Sequence, residues 1–86
     1  TNTLNEETIL HWHGQTPPWP QDGVVSPENP SLPPGATRRY DYAPRAGTHW
    51  MHSHVGLQEQ LLLAAPLIVR TAEDARADVQ EVTVLL

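Results

Sequence analysis

Two short runs, His11-Trp12-His13-Gly14 and Gly47-Thr48-His49-Trp50-Met51-His52-Ser53-His54-Val55-Gly56-Leu57-Gln58, hold all five histidines of this chain. Side chains at i and i+2 leave an extended strand on the same face, so His11 and His13 can converge on one point and His52 and His54 on another. For all of them to form one surface, two strands far apart in sequence have to lie side by side. That requirement limits the architecture more than any other property of the chain. In a regular second strand His49 falls with Met51 and Ser53, away from His52 and His54, and is left out of the expected site.

Imidazole is the commonest protein ligand for copper, zinc, iron and nickel. Several gathered without carboxylate or thiolate favour such a borderline metal over magnesium or calcium. A single His-x-His is often no more than a solvated strand face. Two such pairs, each flanked by tryptophan and followed by glycine, point to a metal centre at His11, His13, His52 and His54. Other histidine-metal patterns lack a required ligand. No glutamate follows His13 as in a cupin, and no Asp-His follows His54 as in a metallo-β-lactamase-like hydrolase. Neither His-Glu-x-x-His nor a cysteine-containing zinc motif occurs. Met51 has the wrong parity for a ligand, and it is expected to pack, as are Trp12 and Trp50.

At 86 residues the chain is one domain at most, a size at which burial is limited. It has no cysteine, which excludes disulfides and thiolate metal sites. Five arginines, no lysine and ten acids give a net charge of -5, which offers nothing to nucleic acid or an anionic membrane. No apolar run is long enough to span a bilayer, and no signal peptide is recognisable. The chain opens at Thr1 rather than methionine, so the expectation is an excised or processed piece.

The order of elements follows from patterning. Residues 1–7 are polar and loop-like, and residues 8–13 alternate as a strand does. Seven of the nine prolines fall within residues 15–34, which predicts a long ordered loop anchored by Trp19, Val24, Val25 and Leu32. After the Pro33-Pro34-Gly35 turn, residues 37–43 read as a strand with Arg38, Tyr40 and Tyr42 on one face. Then comes the strand of the second histidine pair. The leucine-rich residues 56–65 suggest a short helix or helical turn ended by Pro66. Residues 67–71 and 80–86 read as strands, with a charged connection at 72–77. Short strands with a long Pro-rich loop suggest an all-β Greek-key sandwich.

The His-Trp-His-Gly tetrad and the Gly47 to His54 run resemble the two N-terminal copper-binding signatures of the multicopper oxidases, the family of laccases and bacterial copper oxidases. The resemblance continues through Asp22-Gly23, Leu32-Pro33-Pro34-Gly35, Tyr40-Asp41-Tyr42 and Pro66-Leu67-Ile68-Val69, nearly the whole chain. It implies a cupredoxin-like sandwich, with residues 1–86 as part of the N-terminal domain. Family domains have further strands on both sides of this stretch, so unpaired edges and a homo-oligomer are expected. It also implies copper, with His11 on the type 2 ion and His13, His52 and His54 on the paired type 3 ions. Tyrosine is frequent in the family at the position of His49. Asp22 takes the place of the family's acid near the trinuclear cluster, where it would serve as a proton donor; otherwise Asp-Gly is an ordinary turn pair.

The activity implied is oxidation of a reducing substrate coupled to reduction of O2 to water. The type 1 copper that receives the substrate's electrons needs a cysteine thiolate, which this chain lacks. The remaining histidine and cysteine ligands would come from a second cupredoxin domain or subunit. The alternative is a non-catalytic copper-binding or self-assembling module. The resemblance places either in the periplasm or outside the cell.

Overall fold

A computed structural model describes residues 1–86. Its framework is one antiparallel sheet of three strands, β1 (Leu10–His13), β2 (Gly47–Ser53) and β3 (Ala64–Val69), in the order β1-β2-β3. The chain is therefore mostly β and loop, with one short α-helix, α1 (Ala72–Arg76), and a single 3-10 turn at Trp19–Gln21. No helix is long and apolar enough to cross a membrane.

The central strand is the second histidine run, and its pairing with β1 sets the face of each side chain. Leu10 lies opposite Ser53, His11 opposite His52, Trp12 opposite Met51 and His13 opposite Trp50. Period-2 alternation then puts His11, His13, Trp50 and His52 on one face and Trp12 and Met51 on the other. The Trp12 indole meets Tyr40 and Tyr42 edge to face, at centroid distances of 5.2 and 5.5 Å. Beside them runs a groove of about 340 Å³ lined by residues that include Ile9, Leu32, Tyr40, Met51 and Ala65. Burial pushes the Tyr42 phenol pKa up. Ile9 is the one hydrophobic residue buried outright, at 1% exposure.

Residues 37–43 do not form a ladder. They run irregularly, yet Tyr40 and Tyr42 both meet Trp12, the shared face expected from their i, i+2 spacing. Residues 80–86 form no strand either, because no neighbouring strand pairs with them; β-propensity describes fit to a pleated surface, and none is offered. The tail is instead tied back by an ion pair between Arg70 and Glu81. The charged connection contains α1, opened by a capping box in which Thr71 and Asp74 exchange side-chain and backbone hydrogen bonds. Those bonds from Thr71 hold the Asp74 carboxyl below its usual pKa.

Pro66 ends no helix. It lies inside β3, opposite Trp50, on an edge strand where a missing N–H is tolerated. Residues 56–62 form successive hydrogen-bonded turns, with Leu61 N–H donating to Leu57 O at 3.1 Å and Leu62 N–H to Glu59 O at 3.0 Å. They stop at Leu62, whose φ of 65° is left-handed. The Pro-rich loop is ordered as expected, but its anchors are polar. Trp19 and Val25 are about half exposed. Buried Asn29 donates to Val24 O and accepts from Arg38, and buried Gln15 bonds both backbone groups of Arg45. A loop without a ladder must satisfy its backbone in this way.

Candidate metal centre

The β1–β2 register brings three histidines together. His11, His13 and His52 each offer a ring nitrogen, and these nitrogens all lie within 4.8 Å of one another. Trp50 walls the group on one side, stacked on His13 at 5.1 Å and on His52 at 4.2 Å between ring centroids. His52 is buried, His11 half-buried and His13 exposed, so the group opens outward at His13.

Backbone carbonyls orient two of the rings. His11 Nδ1 lies 2.6 Å from Asp22 O, and His52 Nδ1 lies 2.7 Å from Ser53 O. A carbonyl only accepts, so both Nδ1 atoms carry the proton and both Nε2 atoms keep the lone pair a metal needs. His52 Nε2 in turn lies 3.2 Å from His13 Nδ1. Each Nδ1–H also faces a carboxylate, Asp22 Oδ1 at 3.8 Å from His11 and Glu59 Oε2 at 3.4 Å from His52. The approach of Asp22 depends on Gly23. A β-carbon there would lie 1.9 Å from Leu10 O and 2.6 Å from His11 Cα, so only glycine lets this loop lie on β1.

Of the histidines expected to act together, the structure gathers His11, His13 and His52. His54 follows the end of β2 and rims the group, its ring centroid 5.4 Å from His11 and 6.1 Å from His52. His49 stands outside: its Nε2–H donates to Ala46 O at 3.2 Å, and its ring lies against Gly14. Asp22 is adjacent to His11, chiefly through its backbone oxygen. Glu59 was not expected at all. Its only sequence signal is a polar triplet, Gln58-Glu59-Gln60, interrupting a leucine-rich run.

Donor chemistry decides what the group can hold. The converging donors are imidazole nitrogens alone, and in two of the rings the carbonyl hydrogen bond at Nδ1 leaves Nε2 unprotonated. That set suits copper or a similar borderline ion and is poor for magnesium or calcium.

Residues 1–74 match the family described as multicopper oxidase. The chain is 40% identical over 73 residues to copper resistance protein A of Escherichia coli, covering 84% of this chain and 12% of that protein. It is 39% identical over 70 residues to multicopper oxidase MmcO of Mycobacterium tuberculosis, covering 80% and 14%. To the L-ascorbate oxidase of Cucumis sativus it is 37% identical over 78 residues, covering 85% and 13%. The chain thus spans only 12% to 14% of the length of these relatives. No solved structure gives a significant match. A histidine group of copper-binding chemistry, set on a sheet whose sequence matches the family across most of its length, leads to one assignment: this chain belongs to the multicopper oxidase family.

Proposed function

We propose that His11, His13, His52 and His54 supply half of the trinuclear copper site of a laccase-like oxidase, which couples oxidation of a reducing substrate to reduction of O2 to water. The observation that carries this is the convergence of the His11, His13 and His52 nitrogens within 4.8 Å. In this reading His11 serves the type 2 copper and the other three serve the type 3 pair. The remaining histidine ligands and the type 1 cysteine come from a second cupredoxin domain or subunit, since this chain has no cysteine. The sheet is then part of an N-terminal cupredoxin-like Greek-key sandwich, in a protein of the periplasm or the cell exterior. Copper, when bound, supplies one-electron redox chemistry and a place for oxygen.

The chain's own residues do the positioning. Asp22 O and Ser53 O accept from Nδ1 of His11 and His52, which leaves Nε2 of each ring as the nitrogen free to bind a metal. Trp50 stacks on His13 and His52 and limits how their rings can turn. The Asp22 carboxyl, 3.8 Å from His11 Nδ1, is placed to hold a proton for delivery to reduced oxygen.

Copper titration of single alanine variants tests the ligand set. His11→Ala, His13→Ala, His52→Ala and His54→Ala are expected to weaken binding, with His49→Ala unchanged. Loss of copper in His49→Ala with retention in His52→Ala would refute the assignment. A second reading, a copper-binding module without turnover that self-associates, is favoured for the isolated chain by its lack of cysteine. Oxygen uptake with a phenolic donor, measured alongside solution mass, separates the two: sustained turnover by this chain alone excludes the inactive module.

A further inference from the structure

We propose that Gln58 is a positioning residue of the metal centre, fixing the His52 ring so that Nε2 faces the other histidines; this rests on the reading of His52 as a ligand. Gln58 is 7% exposed, and its amide ties together two other segments, Glu7-Thr8 before β1 and Ser53 at the end of β2. Oε1 accepts from Thr8 Oγ1 at 2.9 Å and from Ser53 Oγ at 2.5 Å, while Nε2 donates to Glu7 O at 2.8 Å. Ser53 Oγ also accepts Val55 N–H at 3.2 Å. Thr8 is itself paired with Leu32 through both backbone groups, so the chain before β1 is a fixed post.

Both groups that face His52 Nδ1 depend on this clasp. Ser53, whose carbonyl accepts the Nδ1–H at 2.7 Å, is gripped through its hydroxyl by Gln58. Glu59, whose carboxylate lies 3.4 Å from the same nitrogen, is the next residue along the chain. Only glutamine has the required chemistry and reach. Its side-chain carbonyl has lone pairs for two hydroxyls and its amide NH2 donates to Glu7 O, whereas a glutamate at this position would set a carboxylate oxygen against that carbonyl. Without the clasp, Ser53 keeps its β2 ladder but loses its side-chain restraint, Glu59 loses its neighbouring anchor, and the ring is freer to turn or exchange tautomers. Groups that orient a metal-binding histidine in this manner typically change metal affinity by ~10- to 100-fold.

The test compares the wild-type chain with Gln58→Glu, Thr8→Val and Thr8→Ser, all metal-free, by imidazole nitrogen NMR at mildly alkaline pH, followed by Cu(II) titration. In the wild type His52 should be the Nδ1–H tautomer. In Gln58→Glu it should become a mixture while His11 is unchanged, and copper Kd should rise about tenfold or more. Thr8→Val, which removes one hydroxyl at nearly constant volume, should shift His52 in the same direction by less, and Thr8→Ser should restore it. If Gln58→Glu does not fold, the Thr8 pair decides. Wild-type His52 signals in folded variants overturn the proposal, whatever their melting temperature, and so does an equal shift of His11 and His52. A wild-type chain that binds no copper, with the His52 response intact, would instead sink the ligand assignment and leave the positioning role standing.

Discussion

At Gly23 the chain passes so close to β1 that a β-carbon would sit 1.9 Å from Leu10 O, and the backbone is left-handed at φ 78°. Gly23→Ala must therefore push the loop off the strand and take Asp22 O away from His11. Urea unfolding is expected to show a loss of roughly 2–4 kcal/mol, accompanied by weaker copper binding. Asp22→Asn should behave differently, because the oxygen that orients His11 belongs to the backbone. Copper should be retained. In an oxidase completed by the remaining ligands, reoxidation of anaerobically reduced copper by O2 should slow, since an amide cannot deliver the carboxyl's proton; unchanged reoxidation would leave Asp22 as a turn residue. At this scale the sequence was informative where geometry is local. The i, i+2 spacing places His11 and His13 on one face whatever else the chain does, and His52 joins them as soon as the two strands pair. Glu59 was illegible because its place beside His52 depends on how residues 55–62 turn.

Leu62 shows what an element can conceal. It closes the turn that leads into β3 with a left-handed backbone, which costs a residue with a side chain about 1 kcal/mol or more, and at 70% exposure its side chain gains little by burial. Leu62→Gly is expected to stabilise the chain by roughly 0.5–1 kcal/mol, the relief of strain outweighing glycine's greater freedom when unfolded. Thermal unfolding checks it, and a destabilised variant would mean that the exposed leucine has a packing partner. Residues 56–65 read as a short helix or helical turn, and the structure takes the second form, with hydrogen-bonded turns over residues 56–62. Leucine and glutamine favour helix locally, but Gln58 is pulled into the clasp with Thr8 and Ser53, and the run breaks into turns. β1 and β2 were legible because alternation and function coincide in them. The alternation at residues 37–43 also marked the right faces, since Tyr40 and Tyr42 meet Trp12. A ladder, however, needs a neighbour, and sequence pattern does not supply one.

Across the whole molecule, apolar burial is sparse. Ile9 is the one fully buried hydrophobic residue, while Leu57, Leu61, Val82 and Val84 lie open to solvent. A chain with so little core is expected to draw much of its stability from a ligand that binds only the folded state. Copper at a hundredfold excess over its Kd should add about 2.7 kcal/mol. Differential scanning calorimetry should show the melting temperature rising with copper in the wild type and in His49→Ala, but hardly at all in His52→Ala. A His52→Ala chain stabilised as much as wild type would place the metal elsewhere. The pairing of His11 with His52 and of Trp12 with Met51 carries this further. A slip of a single residue between β1 and β2 would turn both β1 imidazoles to the groove side and set an indole among the remaining ligands. If copper binds at these histidines as proposed, a misaligned sheet would be denied the metal, and the ion would favour chains whose strands have met in register.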